Sequence, residues 1–290
     1  MRGTGAAVLL CLPAIAGCGV PASSLLRGPP VPHARVAVVV LENHGPGAVL
    51  NHGWLATAAL RGAIATNAVG EAHPSQPYFV MLSGRERPLS DRYVEAHPQT
   101  TPNLTEQLDQ HGVSWKAYMD SMPYPCFGRR SALDRSGLYV KRHNPFLFFF
   151  NVVRNAADCR SDVVPGRRLA VDISHHRLPR FAWITPNICE DMHSCPVSSG
   201  ERWMAATLPP LLRALGPRGM LFVVGDERTP RGRGGGRIPL LALGRGVRPG
   251  AVDRARVDHR ALLATIEDVL GLGRLPSTLR APTIRPLLRF

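Results

Sequence analysis

Apolar residues in this chain gather in short unbroken runs. The clearest spans Arg35 to Leu41, whose Val-Ala-Val-Val-Val core is nearly all β-branched and is followed at once by polar residues. A run of that kind is the pattern of a strand buried on both faces. Similar runs recur at Val113 to Met119, Phe181 to Thr185, Met220 to Val224 and Ile238 to Leu243. Between them lie segments of helical character, Thr101 to His111, Arg202 to Leu215 and His259 to Leu270. The last sets Leu262, Leu263, Ile266, Val269 and Leu270 on one helical stripe. Strands alternating with helices predict a largely parallel sheet covered on both faces. The roughly 260 residues from position 33 to 290 suffice for a single α/β domain with a well-buried core, and no repeat or compositional break divides them.

In such sheets ligands bind beyond the carboxyl ends of the strands. Three polar clusters follow predicted strands: Glu42-Asn43, the stretch Asn187 to His193, and Asp226-Glu227. A carboxylate at a strand end can simply cap the next helix, but three such clusters together with histidines point to chemistry. A fourth element is Glu71-Ala-His-Pro-Ser-Gln-Pro-Tyr-Phe-Val-Met-Leu-Ser-Gly84, in which Ser75 precedes a short apolar helical stretch. Near a helix N-terminus free amide hydrogens can stabilise an anion; the plainer reading of Ser75 is an N-cap.

The N-terminus changes the picture of location. Arg2 precedes an apolar run from Ala6 to Ala16 that closes on Ile15-Ala16-Gly17-Cys18, which resembles a bacterial lipoprotein signal. The run is too short for a permanent membrane span. On this reading residues 1–17 are a signal peptide, Cys18 is the lipidated first residue, 18–32 is a tether, and 33–290 is the folded domain of an exported protein. That protein is a cell-envelope lipoprotein on the outer face of the membrane, with a plain secretory signal as the alternative. Four cysteines then remain, Cys126, Cys159, Cys189 and Cys195, and two disulfides are expected in an exported chain. Three connectivities are possible. The short separation of Cys189 and Cys195 suggests a local loop and leaves Cys126 with Cys159. A cysteine zinc site is the rival, and it lacks any C-x-x-C pair.

The formal charge of +14 raises nucleic acid as a partner, yet the cations are nearly all arginine and are scattered. Without a basic helix or an aromatic-interleaved basic strip, no dedicated nucleic-acid partner is expected. The positive field would still attract phosphorylated substrates.

The order of motifs is distinctive. Leu-Glu-Asn is followed by His-Pro-Ser-Gln-Pro with a Leu-Ser-Gly ending, then Arg142-His-Asn-Pro-Phe, then Ile-Thr-Pro-Asn-Ile-Cys-Glu-Asp-Met-His, then Asp226-Glu227, then His259 with Thr265-Ile-Glu-Asp. Over about residues 35 to 273 this resembles the acid phosphatase/phospholipase C phosphoesterases of the alkaline phosphatase superfamily. The resemblance implies an alkaline-phosphatase-like three-layer α/β/α sandwich with a largely parallel central sheet. It also implies hydrolysis of a phosphate ester by a metal-activated serine through a phosphoenzyme.

Carried over by position, Ser75 would be the nucleophile, and Glu42, Asn43, Asp226 and Glu227 the oxygen ligands of a divalent ion. Calcium, magnesium, manganese and zinc all suit such ligands. Asp191, His193 and His259 would form a neighbouring cluster able to hold a second ion, and Arg142, His143 and Asn144 would contact phosphate. Two departures bear on this. Relatives typically read Ser-x-Pro-Asn-Tyr where this chain reads Ser75-Gln76-Pro77-Tyr78, and Asn187 stands where many superfamily members carry aspartate. Phosphomonoesters are the favoured substrates. A phospholipase C-like phosphodiesterase and a catalytically degenerate binding lipoprotein are the alternatives. Arg228 to Arg237 reads as a Gly/Arg-rich connector, with an anion clamp as the other reading.

Overall fold

The computed structural model describes residues 29–51, 53–71, 76–86, 93, 96–128, 136–228 and 235–290. The expected signal peptide, Cys18, most of the tether, Ser75 and positions 229–234 lie outside the described residues. At the centre is an eight-stranded sheet in the order β4-β3-β5-β1-β6-β7-β2-β8. Its strands are β1 (Arg35–Leu41), β2 (Ala63–Ala65), β3 (Trp115–Met119), β4 (Val163–Pro165), β5 (Phe181–Thr185), β6 (Gly219–Gly225), β7 (Leu240–Leu243) and β8 (Val252–Asp253). From β4 to β6 neighbours are parallel; β7 runs antiparallel to both β6 and β2, and β8 pairs parallel with β2.

The unbroken apolar run of β1 is explained by its place between β5 and β6. Val36, Val38 and Val40 enter the core on one face of the sheet, while Ala37, Val39 and Leu41 enter the core on the other. The first face is covered by the helices Pro77–Ser83, Leu104–Gln110 and His259–Leu270, the second by Gly53–Ala59, Arg168–Ser174 and Val197–Leu215. The result is the three-layer α/β/α arrangement with a mostly parallel sheet that the sequence predicts.

Local chemistry sets the helix ends. Asn103 accepts from the amides of Thr105 and Glu106 at 3.1 and 3.4 Å, and Asp258 accepts from that of Ala261 at 3.1 Å. Gly271, at φ 75°, closes the helix His259–Leu270 in the left-handed conformation that glycine adopts without steric cost. The helix Val197–Leu215 begins before the expected Arg202, because its first turn carries no apolar stripe to reveal it. Gly200 in that turn lies against the loop after β5, where a Cβ would come within 2.6 Å of the Glu190 carbonyl. The strands β2, β4 and β8 are too short to leave a readable pattern.

Both expected disulfides are present. Cys126–Cys159 ties the segment after β3 to the helix Ala156–Asp162, and Cys189–Cys195 closes the loop after β5. The end of the expected tether is docked: Val31 is buried and its amide donates to Val269 O at 2.9 Å. The packed domain therefore begins before position 33. Among the described residues no helix is long and apolar enough to cross a membrane.

Candidate functional site

Four strands deliver polar residues to one edge of the sheet. Glu42 and Asn43 follow β1, Asp120 follows β3, Asn187 to His193 follow β5, and Asp226 and Glu227 follow β6. The loops are stitched by backbone bonds, Glu42 N to Asp191 O and Asp226 N to Leu41 O, each 2.9 Å. Asn43 adopts a left-handed conformation (φ 60°). Its backbone amide donates to Asp226 Oδ1 at 2.9 Å while its side-chain amide donates to Glu42 Oε2 at 3.2 Å. Met192 is likewise left-handed (φ 77°), and the next amide, that of His193, donates to Asp191 Oδ1 at 2.8 Å. Such backbone costs about 1–3 kcal/mol per residue and persists where the surroundings over-determine it.

A cavity of about 220 Å³ opens over these residues. Its lining includes Glu42, Asn43, Asp226 and Glu227, with Arg142, His143 and His193; Gln76, Pro77 and Tyr78 complete it. Gln76, the residue directly after Ser75, caps the helix Pro77–Ser83 by accepting from Phe79 N at 2.6 Å. Its amide donates to the Arg142 carbonyl at 3.3 Å. Tyr78, the second residue of that helix, donates its hydroxyl to Glu42 Oε1 at 2.6 Å and stacks on the His143 ring with centroids 5.4 Å apart. The segment after His143 anchors its backbone. Asn144 is buried and donates to the Tyr139 hydroxyl at 3.0 Å, and Phe146 to Phe149 are sunk in the core.

His143 bridges two buried carboxylates, with Nδ1 3.1 Å from Asp191 Oδ2 and Nε2 3.3 Å from Glu42 Oε1. This is the geometry in which a carboxylate behind one ring nitrogen orients the other toward a metal or substrate. Glu42, His143 and His193 can bring one ligand atom each within 4.8 Å of one another.

The electrostatics are those of anionic groups confined without enough cationic charge. Burial raises the pKa of Glu42, with Asp191 adding to the rise and His143 opposing it. Burial, with Glu42 as neighbour, holds Asp226 well above the usual carboxylate range, and burial lifts Asp191 to about 7. His193 is exposed by area at the rim, yet its ring is partly desolvated and lies 5.6 Å from that of His143. That desolvation, then the charge of His143, lowers its pKa. A divalent cation would offset this repulsion, and the carboxylate oxygens with one amide suit magnesium, calcium, manganese or zinc.

The structure thus brings together Glu42, Asn43, Asp226, Glu227, Arg142, His143 and His193. It does not bring three other expected residues to the cavity wall. Asp191 lies beneath it as the partner of His143. Asn144 faces inward to Tyr139. His259 lies elsewhere, its ring nitrogens on Glu71 and the Gly225 carbonyl. Asn187 shapes its own turn, accepting from Cys189 N at 3.0 Å and donating to Glu190 at 2.8 Å. Sequence reasoning missed Tyr78 and Gln76 as contributors to the wall, although both sit in the motif that singled out Ser75. It also missed Glu71, whose signal was only that it opens that segment.

A model of the Phosphoesterase family matches residues 47–273. A probable acid phosphatase of Kluyveromyces lactis is 30% identical over 254 residues, covering 83% of this chain and 59% of the yeast protein. The phosphatidylinositol-3-phosphatase of Mycobacterium tuberculosis is 27% identical over 256 residues, covering 87% of this chain and 81% of that protein. The chain therefore spans less than two thirds of the length of the yeast relative. A crystal structure of a protein in the alkaline phosphatase superfamily from Vibrio parahaemolyticus superposes with a TM-score of 0.60 at 12% identity, over 88% of this chain and 70% of that one. At that identity it speaks for the fold alone.

Proposed function

This chain belongs to the Phosphoesterase family, and from that premise we propose that it hydrolyses phosphate monoesters, with Ser75 as nucleophile and a divalent ion held by Glu42, Asn43, Asp226 and Glu227. The observation that carries the reading is the convergence of these four residues with Arg142, His143 and His193 on one cavity, whose wall includes the residue next to Ser75. When bound, the ion supplies a lowered pKa for the serine hydroxyl and compensation of phosphate charge.

The chain's own residues supply the rest. Arg142 offers its guanidinium to the phosphoryl oxygens and stands in for the amide donor that relatives carry after Pro77. Ser75 Oγ attacks phosphorus and gives its proton to His193, which its lowered pKa keeps neutral. The ester P–O bond breaks, and the leaving oxygen takes a proton from His143 Nε2, with Asp191 fixing the ring from behind. Water then attacks the phosphoserine and gives a proton to His143. The P–Oγ bond breaks, and His193 returns the proton to Ser75. Both histidines end as they began.

Monoesters are favoured because the relatives matched over most of this chain are monoester phosphatases. The phospholipase C relatives of Mycobacterium tuberculosis match over only 43% of it. Export fits the same reading, since two disulfides suit an oxidising compartment, and anchoring through Cys18 would hold the enzyme at the envelope. The test is hydrolysis of an aryl phosphate monoester and the matching diester by the full mature chain across divalent metals, with Ser75→Ala alongside. Metal-dependent monoester turnover that disappears in the variant is expected. Full activity in Ser75→Ala would refute the nucleophile. No turnover by folded, metal-loaded protein would favour the binding lipoprotein.

A further inference from the structure

His259 opens its helix just after the capping Asp258 and is 1% exposed. Its Nδ1 meets Glu71 Oε2, and its Nε2 lies 2.8 Å from the carbonyl oxygen of Gly225. Each neighbour is an acceptor, so a ring with a proton on both nitrogens satisfies the two contacts at once, whereas a neutral ring would set a lone pair against one of them. Glu71 is buried as well, and its other oxygen has no hydrogen-bond partner among the described residues, so the pairing with His259 is its main compensation there. Asp258, at the cap, adds its charge to that of Glu71, and the neighbouring Arg260 is paired with Asp258 and Glu86.

Two segments that meet at this ring run toward the candidate site. Gly225 is the last residue of β6, and Asp226 follows it. Glu71 stands four positions before Ser75 in the sequence. The backbone before Glu71 lies directly on the β6 turn: a Cβ on Gly70 would come within 2.7 Å of the Asp226 carbonyl and 3.1 Å of Glu227 Cα. Removing the ring would take the side-chain donor from the Gly225 carbonyl on one side and leave a buried carboxylate uncompensated on the other.

We propose that the His259–Glu71 pair is a positioning device, an imidazolium strut that fixes Asp226 and Glu227 against Gly70 and Glu71, and that His259 is not itself a metal ligand. The strut rests on the site reading above. Its role would be to hold the oxygen donors at the spacing a divalent cation requires, in the way that groups behind metal ligands tune affinity.

The experiment uses the full mature chain stripped by a chelator and then titrated with Mn²⁺. Nitrogen-15 spectra of the ring should show His259 doubly protonated at neutral pH and unchanged in its nitrogen shifts on Mg²⁺ loading. His259→Gln should keep the metal stoichiometry while weakening Mn²⁺ binding roughly 10–100-fold, with kcat for an aryl phosphate falling more than KM rises. Glu71→Gln should behave alike, and the double variant should be no worse than the worse single one, as for residues acting as a unit. A neutral ring, a metal-induced shift of its nitrogens, the loss of one bound ion in His259→Gln, or additive losses in the double variant would each overturn the strut. The ring spectra and the Mn²⁺ titration need no turnover, so failure of the phosphatase reading would be seen separately. If His259→Gln does not fold, the spectra of the parent protein still decide.

Discussion

Replacing Tyr78 by Phe separates the phenol from its ring. The ring should keep its place, stacked on His143 with planes 11° apart and tilted against Trp183. What is lost is the 2.6 Å hydrogen bond into Oε1 of Glu42. That oxygen retains His143 Nε2 at 3.3 Å, and Glu42 is only 3% exposed, so solvent is poorly placed to replace the phenol. A hydrogen bond to a charged group contributes about 1.5–3 kcal/mol, and about 1.4 kcal/mol corresponds to one decade of affinity. Mn²⁺ binding should therefore weaken ~10–100-fold. The direction with pH comes from the same bond. It lowers the pKa of Glu42 against the larger effect of burial; without it the carboxyl stays protonated to higher pH, and metal binding needs more alkaline conditions. Global stability should fall by no more than that bond contributes, about 1.5–3 kcal/mol, because the ring still fills its site. Calorimetric titration of chelator-stripped protein at mildly acidic and mildly alkaline pH, with a thermal melt, measures both. A Tyr78→Phe protein that binds Mn²⁺ as tightly as the parent at both pH values would refute the view that the phenol tunes Glu42.

Other substitutions probe the frame around the site. Glu267 is fully buried, and burial raises its pKa from 4.5 to about 7 despite hydrogen bonds from Thr278 and the Leu275 amide. A raised pKa contributes stability that is complete below 4.5 and is lost as pH rises through about 7. Urea melts should show Glu267→Gln losing this pH dependence, of order ~3 kcal/mol in the parent; an unchanged slope would remove Glu267 as its source. Cys189–Cys195 closes a loop of sequence separation 6 that carries Asp191 and His193. Replacing both cysteines by serine should cost about 2 kcal/mol of stability from loop entropy, and kcat should fall by more than a loss of folded protein explains. Equal losses in kcat and folded fraction would argue against a role for the loop.

Much of the fold is legible in the sequence because its strands are buried on both faces. β1 and β5 have the bounds their apolar runs predict, and the helix from His259 to Leu270 follows its stripe and its cap. The edge strands escape because two or three residues, such as Val252–Asp253, are held by pairing alone. At the site, the strand-end rule finds Glu42, Asn43, Asp226 and Glu227, since each follows a run whose end is sharp. The rule cannot say which polar residue faces the cavity. Asp191 and His193 stand two positions apart, and the left-handed turn at Met192 sends one beneath the cavity floor and the other to its rim. His143 and Asp191 are 48 positions apart, as Glu71 and His259 are 188 apart, and only the folded sheet edge brings each pair together.

Whether Ser75 carries the phosphoryl group during turnover can be read by acid-quenching the metal-loaded enzyme during hydrolysis of an aryl phosphate and weighing its peptides. One added phosphoryl group is expected on the peptide containing Ser75, absent without metal and absent in Ser75→Ala. Turnover with no phosphorylated peptide under any quench time, or with the phosphoryl group on another residue, would contradict it.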